Sequence, residues 1–321
     1  MWLSLLLVFL IGFAVHRASL CTVRAIMQWM EERKTSLIIS FFKATAWASL
    51  LAGAFVWAGL PIKGTPMLNV SLAFTVLGGL LFGMGAAING GCSLSTLQRL
   101  ADGDTRFIVT LVFFVLGAGL AATSQHIGFV PLVQSYPLLW MQLGVPAQRL
   151  LVALLAVWAL REVWVLWCSR ERDQRPGQWL LAPRYGLTLA ALILGVCSGL
   201  LFLLEGAWTY TNFLRELGAS WLVGTPGPGT WRLLLMLTLF LGMLASSLQR
   251  GTFLLRGWKA MQWWRSMVGG LFMGLGSTLI PGGNDTVILV LIPTLSLQAL
   301  VGFLSMLAGI VSILILMRLH K

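Results

Sequence analysis

The feature that most restricts this chain is a succession of long apolar stretches, nearly free of charge, with basic residues gathered in short clusters between them. A helix that crosses a bilayer needs about 20 mainly apolar residues. Such stretches occur at 1–16, 36–60, 70–88, 107–124, 148–168, 185–204, 231–249, 266–280 and 296–317. In hydrocarbon each backbone N–H and C=O must bond inside the segment, so these stretches are expected to be helices. Only 10% of residues are charged and the mean hydropathy is +0.88. A soluble domain carries about a quarter charged residues, so this chain lacks the polar surface that water requires. The expectation is an all-α polytopic membrane protein of about nine spans, held in a lipid bilayer.

The net charge of +12 does not indicate nucleic acid, because the basic residues form no contiguous patch. Their clusters look like topology signals. Arg17, Arg24, Arg33 and Lys34 lie in 17–34, Arg170, Arg172, Arg175 and Arg184 in 169–184, and Arg250, Arg256, Lys259 and Arg265 in 250–265. Arg318 and Lys321 close the chain, whereas 61–69 holds only Lys63 and 125–147 holds no Lys or Arg. Under the positive-inside rule nine spans alternate consistently, with the N-terminus outside and the C-terminus in the cytoplasm. The first stretch has no basic leader and no small-residue cleavage site, so it is expected to be a retained span.

Three pieces are too short to cross, 18–30, 90–101 and 282–293, and 206–218 resembles them; a further apolar piece at 136–144 suits the interface. Val76-Leu77-Gly78-Gly79-Leu80 with Gly83 and Gly85 matches Met267-Val268-Gly269-Gly270-Leu271 with Gly274 and Gly276. Each unit then reaches a Gly-Gly pair, Gly90-Gly91 before Cys92 and Gly282-Gly283 before Asn284. The charge topology runs the two units in opposite directions, the mark of an inverted repeat. The chain therefore divides into a first half at 1–124, a connector at 125–184 containing span 148–168, and a second half at 185–321.

The chemistry-bearing residues lie in the short pieces. In Asn89-Gly90-Gly91-Cys92-Ser93 the glycines break one helix and Cys92 starts another. A helix start presents unpaired amides and a positive dipole end, which attracts anions. Ser93, Ser95 and Thr96 add hydroxyl donors. The alternative is a packing kink with an inert thiol. In His16-Arg17-Ala18-Ser19-Leu20-Cys21-Thr22-Val23-Arg24, two arginines flank a cysteine. They supply either a positive field for an anion path or ordinary anchoring at the membrane face, with His16 an interfacial residue. In Pro281-Gly282-Gly283-Asn284-Asp285-Thr286 a broken helix restarts, and Asp285 caps amides, pairs with an arginine or carries a proton. Cys168 and Cys197 are expected to be structural, Glu205 to sit at the membrane face, and Trp258, Trp263 and Trp264 to form an interfacial belt with Arg265. No nucleotide loop, metal-ligand spacing or protease signature occurs, so no cofactor, metal or enzymatic activity is expected.

The segments Arg17-Ala18-Ser19-Leu20-Cys21 and Asn89-Gly90-Gly91-Cys92-Ser93-Leu94, with Thr96-Leu97 and Arg99-Leu100, resemble the YeeE/YedE sulfur-transport family. The resemblance implies an hourglass-shaped protein of the bacterial inner membrane, built from inverted halves with re-entrant helices. It implies uptake of a small sulfur-containing anion, thiosulfate-like, passed between cysteines that line the constriction. It also implies a small soluble sulfur-carrier partner of the TusA type. Carried over by motif, the binding set is Cys21, Cys92, Gly90, Gly91, Ser93, Gly282, Gly283 and Asn284, with Arg17 and Arg24 beside it. Members carry a further cysteine after the second Gly-Gly, where this chain has Asn284-Asp285, so a three-thiol relay cannot operate unchanged. Two other readings stay open: a membrane dithiol redox protein, and a non-transporting subunit of a sulfur-transport system.

Overall fold

The computed structural model describes residues 2–59, 70–131, 139–168, 182, 184–257, 260–280 and 282–319. Lys63, Arg170, Arg172, Arg175, Trp258, Lys259, Pro281, His320 and Lys321 lie outside them, as does the start of the expected 136–144 piece. Among the described residues the elements are helical: α1 (Trp2–Ala18), α2 (Thr22–Glu32), α3 (Ser36–Trp57), α4 (Leu72–Asn89), α5 (Ser93–Ala101), α6 (Arg106–His126) and α7 (Leu139–Gln142). They continue with α8 (Val145–Cys168), α9 (Leu187–Glu205), α10 (Tyr210–Leu222), α11 (Thr230–Arg250) and α12 (Ala260–Leu279). Last come α13 (Asn284–Thr286), prolonged by a π-helical turn at Val287–Leu291, and α14 (Leu297–Leu319).

Eight helical segments are long and apolar enough to cross a membrane, with α1–α2 and α4–α5 each counting as one continuous segment. The stretch expected at 266–280 forms as α12 but is not among the eight, because it opens on Gln262, Trp263, Trp264 and Arg265. It needs less apolarity, since protein covers it: α12 packs along α6 and α4. The fold is that of an all-α polytopic membrane protein. The expected short pieces also form, as α2, α5, α10 and α13, and the interfacial piece contributes the four-residue α7.

Small residues set the helix spacing. Gly83 of α4 faces the Met306 carbonyl of α14, where a Cβ would come within 2.1 Å of the oxygen. Gly274 of α12 faces the Phe114 carbonyl of α6 at the same 2.1 Å. Any larger residue would push these backbones apart, which is how small residues drive helix association in lipid. These contacts recur in register. Gly79 meets Gly302 and Gly83 meets Met306 and Ile310, so α4 and α14 run parallel. Gly270 meets Thr110 and Gly274 meets Phe114 and Ala118, so α6 and α12 run parallel as well. Gly85 lies on Gly269 and Met273 while Gly78 lies on Gly276 and Leu279, so α4 and α12, the two matched glycine units, are antiparallel.

The other spans pair similarly. α1 packs on α11 and α3 on α9, with α1 also against α9. α8 stands apart, touching chiefly α3. It is held by Lys43 Nζ on Glu162 Oε2 at 2.6 Å, by Trp47 against Trp158 at 5.5 Å between ring centroids, and by Gly53 under Val152. One end of the molecule gathers the described arginines Arg17, Arg24, Arg184, Arg250, Arg265 and Arg318; the other carries the turns after α6 and α9.

Candidate functional site at the helix breaks

The α4–α5 break is built by its own sequence. Gly90 takes a left-handed conformation (φ 76°), which ends α4 and favours glycine. The chain then turns through Gly91, and Cys92 is the N-cap of α5 with no side-chain cap. Asn89 holds the turn. Its Nδ2 donates to the Gly91 carbonyl at 3.0 Å and to Thr96 Oγ1 at 2.9 Å, while its Oδ1 accepts from Thr110 Oγ1 at 2.9 Å. The α1–α2 break is its counterpart: Cys21 is the N-cap of α2, again without a side-chain cap. Gln98 Nε2 donates to the Leu20 carbonyl at 2.9 Å, tying this turn to α5.

The third break lies in the second half of the chain. Gly283 is the N-cap of α13 and its N–H donates to Thr211 Oγ1 at 3.1 Å; the Gly282 N–H donates to the Ser277 carbonyl at 2.7 Å. Gly91 and Gly283 are both buried.

These three helix starts converge. Ser93, first residue of α5, donates to Asn284 Oδ1 at 2.7 Å, and Asn284, first residue of α13, donates from Nδ2 to Thr22 Oγ1 at 3.1 Å. Thr22 is the first residue of α2. Thr22, Ser93 and Asn284 are all at most 2% exposed, so the chain of contacts lies inside the protein. The side chains of Cys21 and Cys92 are neighbours, with Ser95 beside Cys21. Both cysteines are buried and unbridged. Three dipole ends without side-chain caps, two thiols and three polar side chains thus share one small space. Positive dipole ends and oriented N–H groups are what an anion without its water requires.

Of the residues expected at the site, Cys21, Cys92, Ser93 and Asn284 are therefore brought together, on backbone supplied by Gly91 and Gly283. Gly90 sits on a cavity at the arginine-rich end, lined also by Arg99, Arg106, Arg265 and Arg318. Arg24 and Arg17 line a second cavity at that end with Arg184 and Arg250. The Arg17 guanidinium is 1% exposed and engaged by the protein: Nε donates to Ser246 Oγ at 3.2 Å, the other nitrogens reach the Ala182 carbonyl and Gln249 Oε1, and its carbon lies 4.8 Å from the Phe13 ring centroid. His16, expected at the interface, is instead buried, with Nδ1 2.9 Å from Ser246 Oγ and Nε2 3.1 Å from Asp102 Oδ1. An imidazole with partners on both nitrogens has no need of the interface.

Asp285 takes the capping role. Its Oδ2 accepts from the Thr211 N–H at 3.1 Å and its Oδ1 from Thr211 Oγ1 at 2.5 Å, so it caps the start of the neighbouring α10. Thr286 Oγ1 lies 2.6 Å from Thr209 Oγ1 and 2.9 Å from Thr211 Oγ1. Thr22, Thr209 and Thr211 were not singled out by motif. The available signal was their place at or beside the first residue of a short non-spanning helix. Cys197 is buried within α9 and Cys168 is exposed at the end of α8. Among the described residues no group of His, Cys, Asp and Glu is arranged to hold a metal.

A family profile described as sulphur transport matches residues 17–312. The chain is similar to the thiosulfate transporter TsuA of Escherichia coli (strain K12), at 22% identity over 325 residues, covering 94% of this chain and 90% of that protein. The match spans all three helix breaks, and the chain belongs to the sulphur-transport family of membrane proteins.

Proposed function

We propose that this protein is a permease for a small sulfur-containing anion of the thiosulfate type, passed through the constriction formed by Cys21, Cys92, Ser93 and Asn284. The observation that carries the reading is the convergence of three helix starts without side-chain caps at Thr22, Ser93 and Asn284. An anion entering this space exchanges water for hydroxyl, amide and thiol donors. A small, soft terminal sulfur suits the two thiols, and the oxygens suit Ser93 and Asn284. No covalent step is required. The Asn284 amide offers a hydrogen bond where a third thiol would stand, so passage here uses two thiols and one amide. The sequence has no nucleotide-binding loop, so the gradient, or consumption of the anion on the far side, drives net flux.

In this reading the halves 1–124 and 185–321 are inverted copies joined through 125–184. The matched parallel pairs α4–α14 and α6–α12, and the antiparallel α4–α12 contact, support it. The arginine-rich end is the cytoplasmic face of a bacterial inner membrane, with the N-terminus outside and the C-terminus inside, and a TusA-like carrier receives the cargo there. Cys92→Ala is expected to abolish uptake of labelled thiosulfate into cells that lack other importers; unchanged uptake would refute passage by way of the Cys92 thiol. The adjacency of the two thiols also suits a dithiol redox protein. Thiol trapping separates the two, since a redox pair interconverts with a disulfide during turnover and a permease stays reduced.

A further inference from the structure

At the arginine-rich end α4 stops short of the helices that flank it. Gly269 of α12 faces Asn89, the last residue of α4, so residues 260–268 of α12 run on past it. That overshoot is about 13 Å of helix. On another face Gly83 meets Met306 and Ile310, so the final turn of α14, at 315–319, also passes the level of Asn89. The shortfall leaves a niche above Gly90 that holds about 1490 Å³ of atom-free space, mouth included. Gly90 is exposed to it, and a Cβ built there would meet only Arg99 Nη1, at 4.0 Å.

Two chemistries share the wall of this niche. One is basic, from Arg99, Arg106, Arg265 and Arg318; the other is aliphatic, with Met27, Ile88 and Leu316. Glu31 also lines it and pairs with Arg318 at 3.1 Å, while Asp104 accepts from Arg106 Nε at 3.3 Å. Among the described residues no carboxylate forms an ion pair with Arg99 or Arg265, and both are charged neighbours of Arg106. Arginines that only mark topology stand apart in water. These crowd one concavity, and the Arg106 side chain is 14% exposed. Like charges gathered so closely call for a counter-anion, and guanidinium forks match phosphate oxygens two at a time. A small soluble anion would occupy the arginines and leave the aliphatic wall without a role. Trp263 and Trp264, 37% and 52% exposed, directly precede Arg265. Indoles gather at headgroup depth, so the niche opens where lipid phosphates lie.

We propose that this niche binds an anionic phospholipid, its phosphate on Arg99, Arg106 and Arg265 and the start of its acyl chains on Met27, Ile88 and Leu316. Basic pockets between spans take acidic headgroups in this way. A zwitterionic headgroup is disfavoured, since it carries its own cation into the arginine cluster. The lipid fills the place of the turns that α4 lacks and bridges α12 and α14, which pack on different faces of α4. The site requires only that the chain resides in a bilayer, and it stands apart from the permease reading.

The test uses the full chain, delipidated in detergent micelles and titrated with phosphatidylglycerol or with phosphatidylcholine. Melting temperature is read, and native mass spectrometry counts the lipid retained. Wild type is expected to melt on the order of 5 °C higher with phosphatidylglycerol and to keep one molecule of it in preference to phosphatidylcholine. Arg99→Gln with Arg265→Gln should lose both effects. Arg24→Gln with Arg184→Gln, which removes the same charge from the second cavity at that end, should keep them. Equal stabilisation of wild type by the two lipids overturns the proposal. So does an equal loss in both double variants, which marks a diffuse effect of surface charge. Inorganic phosphate without lipid is a third arm: if it reproduces the stabilisation and displaces phosphatidylglycerol, the niche takes a soluble anion and the lipid site is refuted. Where the Arg99 and Arg265 double variant does not fold, the wild-type mass spectrum decides, because retention without preference for phosphatidylglycerol also rules the site out.

Discussion

Asn284 is the residue on which the constriction turns, because it bonds to Ser93 on one side and Thr22 on the other. Asn284→Asp keeps the shape and leaves both hydroxyls free to donate to a carboxylate. It also places a buried negative charge in the path of the anion. Uptake is expected to fall by roughly 10- to 100-fold from Coulomb repulsion over a few ångströms, with expression and monodispersity retained; undiminished uptake of labelled thiosulfate would show that no anion passes Asn284. The two cysteines and the glycine pairs were legible in the sequence because a helix break inside an apolar stretch is conspicuous. Their partners were not. Thr22 and Thr211 are ordinary threonines until the fold brings them against residues 284 and 285, and no local pattern encodes a contact across 262 or 74 positions. The burial of His16 was hidden for the same reason, since Ser246 and Asp102 lie far from it in the chain.

Among the elements, α8 depends most on a single polar contact. Its lipid-facing side is exposed and apolar, with Leu150, Leu154, Val157 and Trp164 all more than half exposed. Lys43 and Glu162 join it to α3, and Lys43 also reaches Thr188 Oγ1 at 3.3 Å. Removing one partner leaves an uncompensated charge, which costs about 3–5 kcal/mol for a buried pair. Lys43→Met is therefore expected to lower the thermal midpoint markedly, and Lys43→Met with Glu162→Leu should recover most of the loss; a double variant no more stable than the single would show that the ion pair is not what docks α8. The long helices were visible as apolar runs, because hydrocarbon leaves the backbone no other choice. The π-helical turn at Val287–Leu291 was not visible. It depends on tertiary contacts such as Thr45 Oγ1 donating to the Ile288 carbonyl at 3.0 Å.

At the scale of the whole molecule, the arginine-rich end is sewn together by Asp102. The carboxylate joins the turn after α5 to α1 through His16 and to α11 through Ser247 at 2.8 Å, and reaches Thr252 just beyond α11 at 2.6 Å. Partial burial disfavours the charged form, but these hydrogen bonds outweigh it and hold the Asp102 pKa at about 2. A carboxyl depressed in the folded state stabilises the fold above its unfolded pKa of about 4, and that stabilisation is lost as pH falls toward 2. The melting temperature is expected to decline between pH 4 and 2, and Asp102→Asn should flatten that decline while lowering stability at pH 7. An identical acid limb in the variant would assign the loss to other carboxylates. The opposite end is joined more lightly, by Glu205, which accepts from Ser4 Oγ at 2.5 Å and from Trp231 Nε1 at 2.8 Å. The two glycine units that pack antiparallel as α4 and α12 were legible in the sequence, whereas these polar seams were not, since each unites residues from three separate stretches.

The backbone contacts at Gly83 and Gly274 have a mechanical consequence. Helices that touch carbonyl to α-carbon have no compliant layer of side chains between them, so they resist sliding, rolling and parting. The four long helices α14, α4, α12 and α6, packed in that order, then act as a stiff wall beside the breaks. In the permease reading, what moves is the short helices beside this wall, held by hydroxyls and amides that exchange partners cheaply. The proposed permease would then work as a turnstile in a rigid frame.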